Sequence, residues 1–511
     1  MSSTPSEPEK YSIEEIMVRL KGAPSENPED GELVIRPDGS QAIRIRKRKR
    51  RTIQPQKELE RRLHQSRVIQ VSIVVLLLFV ISLTLGGAII SANSSPFRNK
   101  LILNIRQATG ASVKLEQFRM NPSTANAGLL ALEWPDGNVL KSLTLRRLNA
   151  EIFVSSFLGQ SMDGEEVIAD DGMLALQIPK PDQAITNEAL PTGNLPFHFK
   201  RYRVPKFNLT MGSSTAPAIR LSDSEASLYP DQASGRPQVR LNQGYLSIKG
   251  WPKLRLDRAL FEFRENETDV ISLRLRHETN NQGLMELSGT ITPFITDKPS
   301  TLAVSLDSFE LSSITGPSLA RLVTGKIDSQ PTAESNFLSF LPTESPSPDL
   351  NIAFRANLNS AIQVRGFPFL FALSQALNNE WFEQPIFSTN SFGIIQRKDN
   401  TLTLKNLSLE NRNYMALRGD ISITSNQVLS GNLQVGIADA MIAPSQNQRL
   451  KSMFGPSEAG FHWVTLKIGG QASTPTDNFR DLFYSTEVAP QEHPKPSESE
   501  GSTFEELTRP R

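Results

Sequence analysis

TLTLKNLSLE, residues 401–410, alternates apolar and polar side chains almost residue by residue. A period of two places one set of side chains on each face of an extended chain, so the stretch reads as a strand with an apolar face and a polar face. The same period recurs in GLLALEWP (128–135), SLTLRRLNAEIF (142–153), MLALQIP (173–179), VISLRLR (270–276), TLAVSLDSFEL (301–311) and NLQVGI (432–437). Turn-forming clusters separate these runs: PDG at 135–137, DDG at 170–172, NNQG at 280–283, NRN at 411–413 and SNQ at 425–427. Neighbouring strands joined by short turns form antiparallel meanders. The body of the chain is therefore expected to be mainly β.

A phrase of the form apolar-x-Gly-x-apolar runs through this body as LSGTI (287–291), VTGKI (323–327), LRGDI (417–421), LSGNL (429–433) and IGGQA (468–472). Two of these close similar passages, LRLRHETNNQGLMELSGTI and LSLENRNYMALRGDISI, each reading strand, polar turn, strand, glycine. Glycine within a strand marks a bend or bulge. Helical patterns are few. SSITGPSLARLVTG (312–325) offers Leu319, Leu322 and Val323 as a short face, and GFPFLFALSQALNNEWFEQ (366–384) reads as a helix that caps or plugs a sheet edge. Composition marks 330–349 as a Pro/Ser/Thr-rich linker and 486–511 as a disordered tail.

Ahead of the β-rich body, Val68 to Ile90 reads VIQVSIVVLLLFVISLTLGGAII, with no charge and only Gln70, Ser72, Ser82 and Thr84 polar. As a helix it measures about 34 Å, slightly more than the hydrocarbon core of a bilayer. No helical face is polar, which disfavours a buried helix of a soluble domain. A cleaved signal peptide is also disfavoured, because the apolar run is too long and 67 residues precede it. The reading is a transmembrane signal anchor over 68–92.

Charge orients it. Between Arg36 and Arg67 there are 12 Lys/Arg and three acids, whereas the 30 residues after Ile90 hold five dispersed basic residues. The densest run, RIRKRKRR, comprises Arg44, Arg46, Lys47, Arg48, Lys49, Arg50 and Arg51 around Ile45, and sixteen residues separate it from Val68. The positive-inside rule then holds the N-terminus in the cytoplasm and sends 92–511 across the membrane. The run also suits contact with anionic headgroups, at ~1 kcal/mol per basic residue near the surface. Nucleic acid is not an expected partner. Met1–Arg67 carry 15 basic and 11 acidic residues, but the remainder carries 40 and 43. A slightly acidic body without helix-turn-helix patterning or interleaved aromatics does not neutralise phosphates.

In the tail, YSIEEIMVRLK (11–21) reads as a capping-box helix, and ELVIRPDGSQAIRI as a hairpin about PDGS. Past the membrane, SPFRNKLILNIRQATG supplies Ser95 as N-cap, Pro96 at the first helical position and Gly110 as a stop. This helix either continues the anchor or lies along the bilayer.

The chemistry of catalysis is absent from the pattern. No cysteine occurs, which excludes disulfides, thiolate metal sites and thiol catalysis. The five histidines have no i,i+3 or i,i+4 partners, and there is no GxSxG, P-loop, HExxH or GxGxxG. The acidic pairs Glu165–Glu166 and Asp170–Asp171 sit in polar stretches and read as solvated charges. No enzyme, metal or cofactor is expected.

Together, a basic tail, one anchor, a short helix, TGASVKLEQF and GLLALEWPDGNVLKSLTLRRLNAEIFVSSFLGQ resemble the start of AsmA-like proteins of bacterial envelopes. FGIIQRKDNTLTLKNLSLENRNYMALRGDISI and WVTLKIGGQASTPTDNFRDLF are similar to that family's far end, while 190–260 and the 67-residue tail depart from it. The resemblance implies a long curved antiparallel sheet whose apolar face forms a groove for phospholipid acyl chains. It also implies a place in the bacterial inner membrane, the body in the periplasm, and a role in envelope lipid transport. On this reading the groove face includes Val113 and Leu115, Leu402 and Leu404, and Leu433 and Val435. The expected organisation is 1–67 cytoplasmic tail, 68–92 anchor, 93–329 and 350–485 two β-rich parts about the 330–349 linker, and 486–511 tail. Alternation alone leaves open whether a second sheet or a ligand covers the apolar face. A bitopic scaffold, joining a cytoplasmic partner of residues 11–43 to an envelope protein assembly, is the other expectation.

Overall fold

The computed structural model describes residues 31–45, 54–157, 162–177, 197–212, 216–230, 235–264, 267–279, 282–292, 299–330, 336–341, 348–356 and 360–486. The helix expected at Tyr11–Lys21, the basic residues Arg46, Lys47, Arg48, Lys49, Arg50 and Arg51, and 487–511 lie outside them. Two compact units result, Met1–Leu83 and Thr84–Arg511.

In the first unit the hairpin expected about PDGS is present. Strands β1 (Gly31–Ile35) and β2 (Gln41–Ile45) pair antiparallel, with Arg44 opposite Glu32. Gly39 takes φ +81°, and Asp38 Oδ1 accepts from the backbone N–H and hydroxyl of Ser40 at 3.2 and 2.8 Å. A 39-residue helix then runs Gln54–Ala92. Its segment Ser72–Ala92 is the one described helix long and apolar enough to cross a membrane.

The helix end, which belongs to the second unit, is tied to the sheet. Asn93 donates to the carbonyls of Ile89 and Met120 (2.8 and 2.7 Å) and accepts from the Met120 N–H (2.8 Å). Ala88, Ile89 and Ala92 share an apolar cluster with Met120 and Phe118. The next helix, Ser95–Thr109, starts one residue earlier than the sequence suggests, because Ser94 rather than Ser95 is the N-cap and accepts from Phe97 N–H. Gly110 ends it at φ +68°. Leu101 and Ile105 are buried with strand residues Leu115 and Leu132, so this helix packs on the sheet and is not a continuation of the anchor.

The second unit is built on one long sheet. Its first strands are β3 (Ser112–Glu116), β4 (Arg119–Met120), β5 (Thr124–Glu133), β6 (Leu140–Ile152), β7 (Met162–Leu176), β8 (Phe197–Gly212) and β9 (Pro217–Tyr229). The middle holds β10 (Gln238–Asn242), β11 (Tyr245–Ile248), β12 (Leu254–Phe263), β13 (Thr268–His277), β14 (Leu284–Ile291) and β15 (Ser300–Asp307). Short pieces follow: β16 (Phe309–Glu310), β17 (Val323–Thr324), β18 (Lys326–Ser329) and β19 (Phe337–Phe340). The last third comprises β20 (Asp349–Ala356), β21 (Ile362–Val364), β22 (Ile386–Phe387), β23 (Thr389–Lys398), β24 (Thr401–Asn411), β25 (Met415–Ile423) and β26 (Leu429–Ala438). Finally come β27 (Ser457–Glu458), β28 (Phe461–Gln471) and β29 (Thr474–Asp477).

Pairing proceeds in nearly sequential order from β3 to β29. Where it forms closed rings these are local: β10 and β11 both bridge β9 and β12, and β16, β18 and β19 fill the space between β15 and β20. Among the described residues β3 pairs with β5 and β29 with β28, and no residue-by-residue pairing joins β3 to β29. β17, β21 and β22 form a separate three-stranded sheet.

Three sequence expectations change. The meander is interrupted once, because β7 and β8 pair parallel; a connection of about twenty residues (177–196) is long enough for the chain to return to the same end. DDG at 170–172 is inside β7, not a turn: Asp170 and Asp171 pair with Arg147 of β6 at 2.7 and 2.8 Å, which keeps both aspartates in the ladder. The stretch 330–349 is no simple linker. Its NFLSFL contributes β19, paired with β15 and β20, and Thr84–Arg511 is one unit across it.

The alternation is also less strict than TLTLKNLSLE suggests. Leu404 faces Ile421 and Leu407 faces Gly419, so three residue steps on β24 oppose two on β25. This bulge shifts the phase, and Leu402, Leu404, Leu407 and Leu409 all end up in the core. Asn406 sits in it at φ +48°, its N–H taken by Asp420 Oδ1 at 2.7 Å. The companion passage repeats the arrangement: Val270 faces Gly289 and Leu273 faces Leu287. The glycines of LSGTI and LRGDI thus mark the same structural device, a strand glycine opposite a bulge, at φ +145° and +134°.

Toward the C-terminus the apolar face is closed. Phe369, Leu370 and Leu373 of the helix Pro368–Leu377 belong to one buried cluster with Phe354, Ile395, Leu417 and Phe479. Asp477 fixes this corner: Oδ2 accepts from Phe369 N–H (2.7 Å) and Oδ1 from Phe479 N–H (3.0 Å), capping two helices at once. Burial raises the Asp477 carboxyl above its usual value, and the two N–H donors draw it partly back. The native state therefore holds this proton to higher pH than the unfolded chain, and its contribution to stability falls as pH rises through the window above 3.8. Asp477→Asn is expected to flatten that slope. Asp477→Ala should cost about 0.5–2 kcal/mol per lost cap, both read by chemical unfolding across the mildly acidic range.

Candidate functional site

In paired strands, directly opposite residues share a face, so the pairing register traces the apolar surface across the sheet. Leu115 faces Leu130, Leu130 faces Leu145, and Leu145 faces Gly172, which faces Phe207. A parallel row runs Val113, Leu132, Leu143, Leu174, Leu209, Leu221, Leu246 and Leu254. Farther on, Leu256 faces Leu275, then Met285 and Leu306, and Leu302 faces Leu338, then Leu350. The row ends in Ile395, Leu404, Ile421 and, through β26, Leu433 and Leu466. One apolar face thus extends across the whole sheet.

Its covering is uneven. Leu402, Leu404, Leu433 and Val435 are at most 4% exposed and sit in the C-terminal core. These four are core residues; Leu402 also borders a cavity beside Arg397, while Leu404, Leu433 and Val435 are enclosed by protein side chains. Val113 and Leu115 pack with the Ser95–Thr109 helix in a different cluster. The six residues expected to form one groove face therefore lie on one ladder but in two separate cores.

Between those cores the face is less covered. Leu145, Leu176, Met211 and Ile219, on β6 to β9, are half-buried and belong to no buried cluster. Gly172 keeps this strip level, because a Cβ there would stand 2.8 Å from Val204 Cγ1 and 3.1 Å from Leu145 Cδ2. A strip of aliphatic side chains with no charge among them matches hydrocarbon and little else.

Charged residues of the same strands pair with one another across the sheet. Lys200 meets Glu165 at 2.6 Å, Arg201 meets Glu166, Arg203 meets Glu225 at 2.9 Å, and Arg147 holds Asp170 and Asp171. Most of these pairs are well exposed and contribute little stability individually. They account for the acidic pairs of the sequence as cross-strand partners. Among the described residues, no group of three or more His, Asp or Glu side chains is placed to hold a metal.

One residue breaks the ladder. Arg397 faces Leu350 on one side and Leu402 on the other, and it is the one charged side chain among the buried described residues. Pattern reading passed over it inside FGIIQRKDNTLTL. Folding RKDNTL as a hairpin about Asp399 and Asn400 puts Arg397 opposite Leu402, so the signal was present in the pairing rather than in the strand.

The chain matches no protein-family model, and no curated protein matches it in sequence.

Proposed function

We propose that this is a single-pass inner-membrane protein of a bacterial envelope that binds or transfers phospholipid along the apolar face of its sheet, without catalysis, and so contributes to envelope lipid homeostasis. The N-terminus is assigned to the cytoplasm and 93–511 to the periplasm. The observation that carries the reading is the apolar ladder, which runs from β3 to β28 with Arg397 as its one buried charge and is left half-buried at Leu145, Leu176, Met211 and Ile219. Acyl chains suit that strip, since each buried CH₂ contributes about 0.8 kcal/mol. The membrane-length helix immediately precedes the sheet in the chain. The resemblance to AsmA-like proteins and the basic run before the anchor support the same assignment.

The β1–β2 hairpin ahead of the helix favours a second reading, a scaffold that joins a cytoplasmic partner to an envelope assembly. Deleting residues 1–43 separates the two. A lipid carrier should keep most of its ability to complement a null strain, provided the deleted chain still inserts. A scaffold should lose it.

A further inference from the structure

We infer that Arg397 is the anchor of an anion site that takes a phosphate-class oxyanion. A cavity of about 410 Å³ lies between the β10–β12 region and the β23–β25 hairpins, lined by Lys249, Trp251, Thr315, Ser318, Arg397 and Gln427 among others. Its lining contains two cations and no carboxylate. Arg397 is 9% exposed, donates from Nη2 to the Gly250 carbonyl, and lies 4.7 Å over the Trp251 ring. Its Nε is fully buried without a hydrogen-bond partner, and among the described residues no ion pair reaches the guanidinium.

Such an arrangement is costly as it stands. A guanidinium does not shed its proton in a protein, so burial of an unpaired one is compensated only by an anion or by incomplete alternatives such as the indole face. Burial depresses the Arg397 pKa, the direction expected of a cation lacking its counter-charge. Arginine also presents donors in a planar fork that fits two oxygens of a phosphate, with Lys249 and the hydroxyl of Ser318 on the same wall; the Thr315 hydroxyl is already donated to the Leu311 carbonyl. Because Arg397 interrupts the apolar ladder between Leu350 and Leu402, both buried, the site sets a phosphate against the edge of the apolar core. The source of the phosphate is a lipid headgroup or a free ion, and only the headgroup assignment rests on the lipid-carrier reading.

The test uses the full chain in an uncharged detergent, with binding followed by calorimetry and thermal unfolding. The probes are inorganic phosphate and a short-chain phosphatidylglycerol, each against chloride at equal ionic strength. Binding of either probe, weakened about 10- to 100-fold in Arg397→Met, is the expected result. Phosphatidylglycerol tighter than phosphate assigns the headgroup, and phosphate at least as tight assigns a free oxyanion. Without anion, Arg397→Met should be at least as stable as the parent, since an unpaired buried charge has been replaced by an apolar side chain. Binding of neither probe, or equal binding by Arg397→Met, overturns the site. So does a destabilised Arg397→Met beside a parent that ignores both anions, because Arg397 then serves only its contacts to Gly250 and Trp251. Arg397→Lys, which keeps the charge but loses the fork, should fall between. None of these outcomes depends on lipid contact at Leu145 or Leu176, so the site and the lipid-carrier reading fail separately.

Discussion

Gly419→Ala is expected to destabilise the second unit by roughly 3 kcal/mol or more, and Gly289→Ala by less. At Gly419 a Cβ would stand 2.1 Å from the Asn432 carbonyl oxygen of β26, and φ is +134°. Both the backbone strain and the collision with a paired strand must be relieved, and the neighbouring atom is main chain rather than a flexible side chain. Separating β25 from β26 opens the core at Leu417, Val435 and Leu433, each buried. At Gly289 the corresponding oxygen, of Thr301, is 3.0 Å away, so the same strain comes with a milder contact. Denaturant midpoints of the two variants check the order. Equal, small losses would show that the glycines are not held by these close approaches.

The second large effect concerns the half-buried strip. Leu145→Glu and Met211→Glu should abolish complementation and lipid contact while leaving the unfolding midpoint within about 1 kcal/mol of the parent, because partly exposed positions tolerate a charge that a buried one does not. Leu404→Glu is the contrasting change. Leu404 is fully buried, and an unpaired carboxylate there should unfold the unit. A strip charge that leaves function intact would remove the acyl chains from that surface.

Much of this architecture was readable from residue order. Period-two runs located β5, β6, β15, β24 and β26, the clusters PDG, NRN and SNQ fell at real turns, and the apolar stretch ending at Ala92 is a helix. What escaped the pattern depends on pairing. The parallel joint of β7 and β8 is set by where the chain returns after 177–196, which no local period encodes. Bulges at 404–407 and 270–273 shift the phase of a strand without disturbing its composition. DDG read as a turn because Asp and Gly are turn-forming residues, and Arg147 becomes the partner of both aspartates only across the sheet. The candidate face was legible as apolar but not as covered or uncovered, since Phe369, Leu370 and Leu373 close the C-terminal part from a helix read only as a cap or plug at a sheet edge. Arg397 was invisible for the same reason: its strangeness lies in facing Leu350 and Leu402.

Met173 and Leu174 are adjacent on β7 and point to opposite faces, Met173 being 50% exposed on the polar side and Leu174 lying in the apolar ladder. A photo-crosslinking residue placed at each, in intact cells carrying phosphate-labelled lipid, reports contact on one face against the other within a single strand. The lipid-carrier reading predicts labelled protein from position 174, and likewise from 145, with little or none from 173. Equal labelling from both faces, or none from 174 and 145, would contradict it.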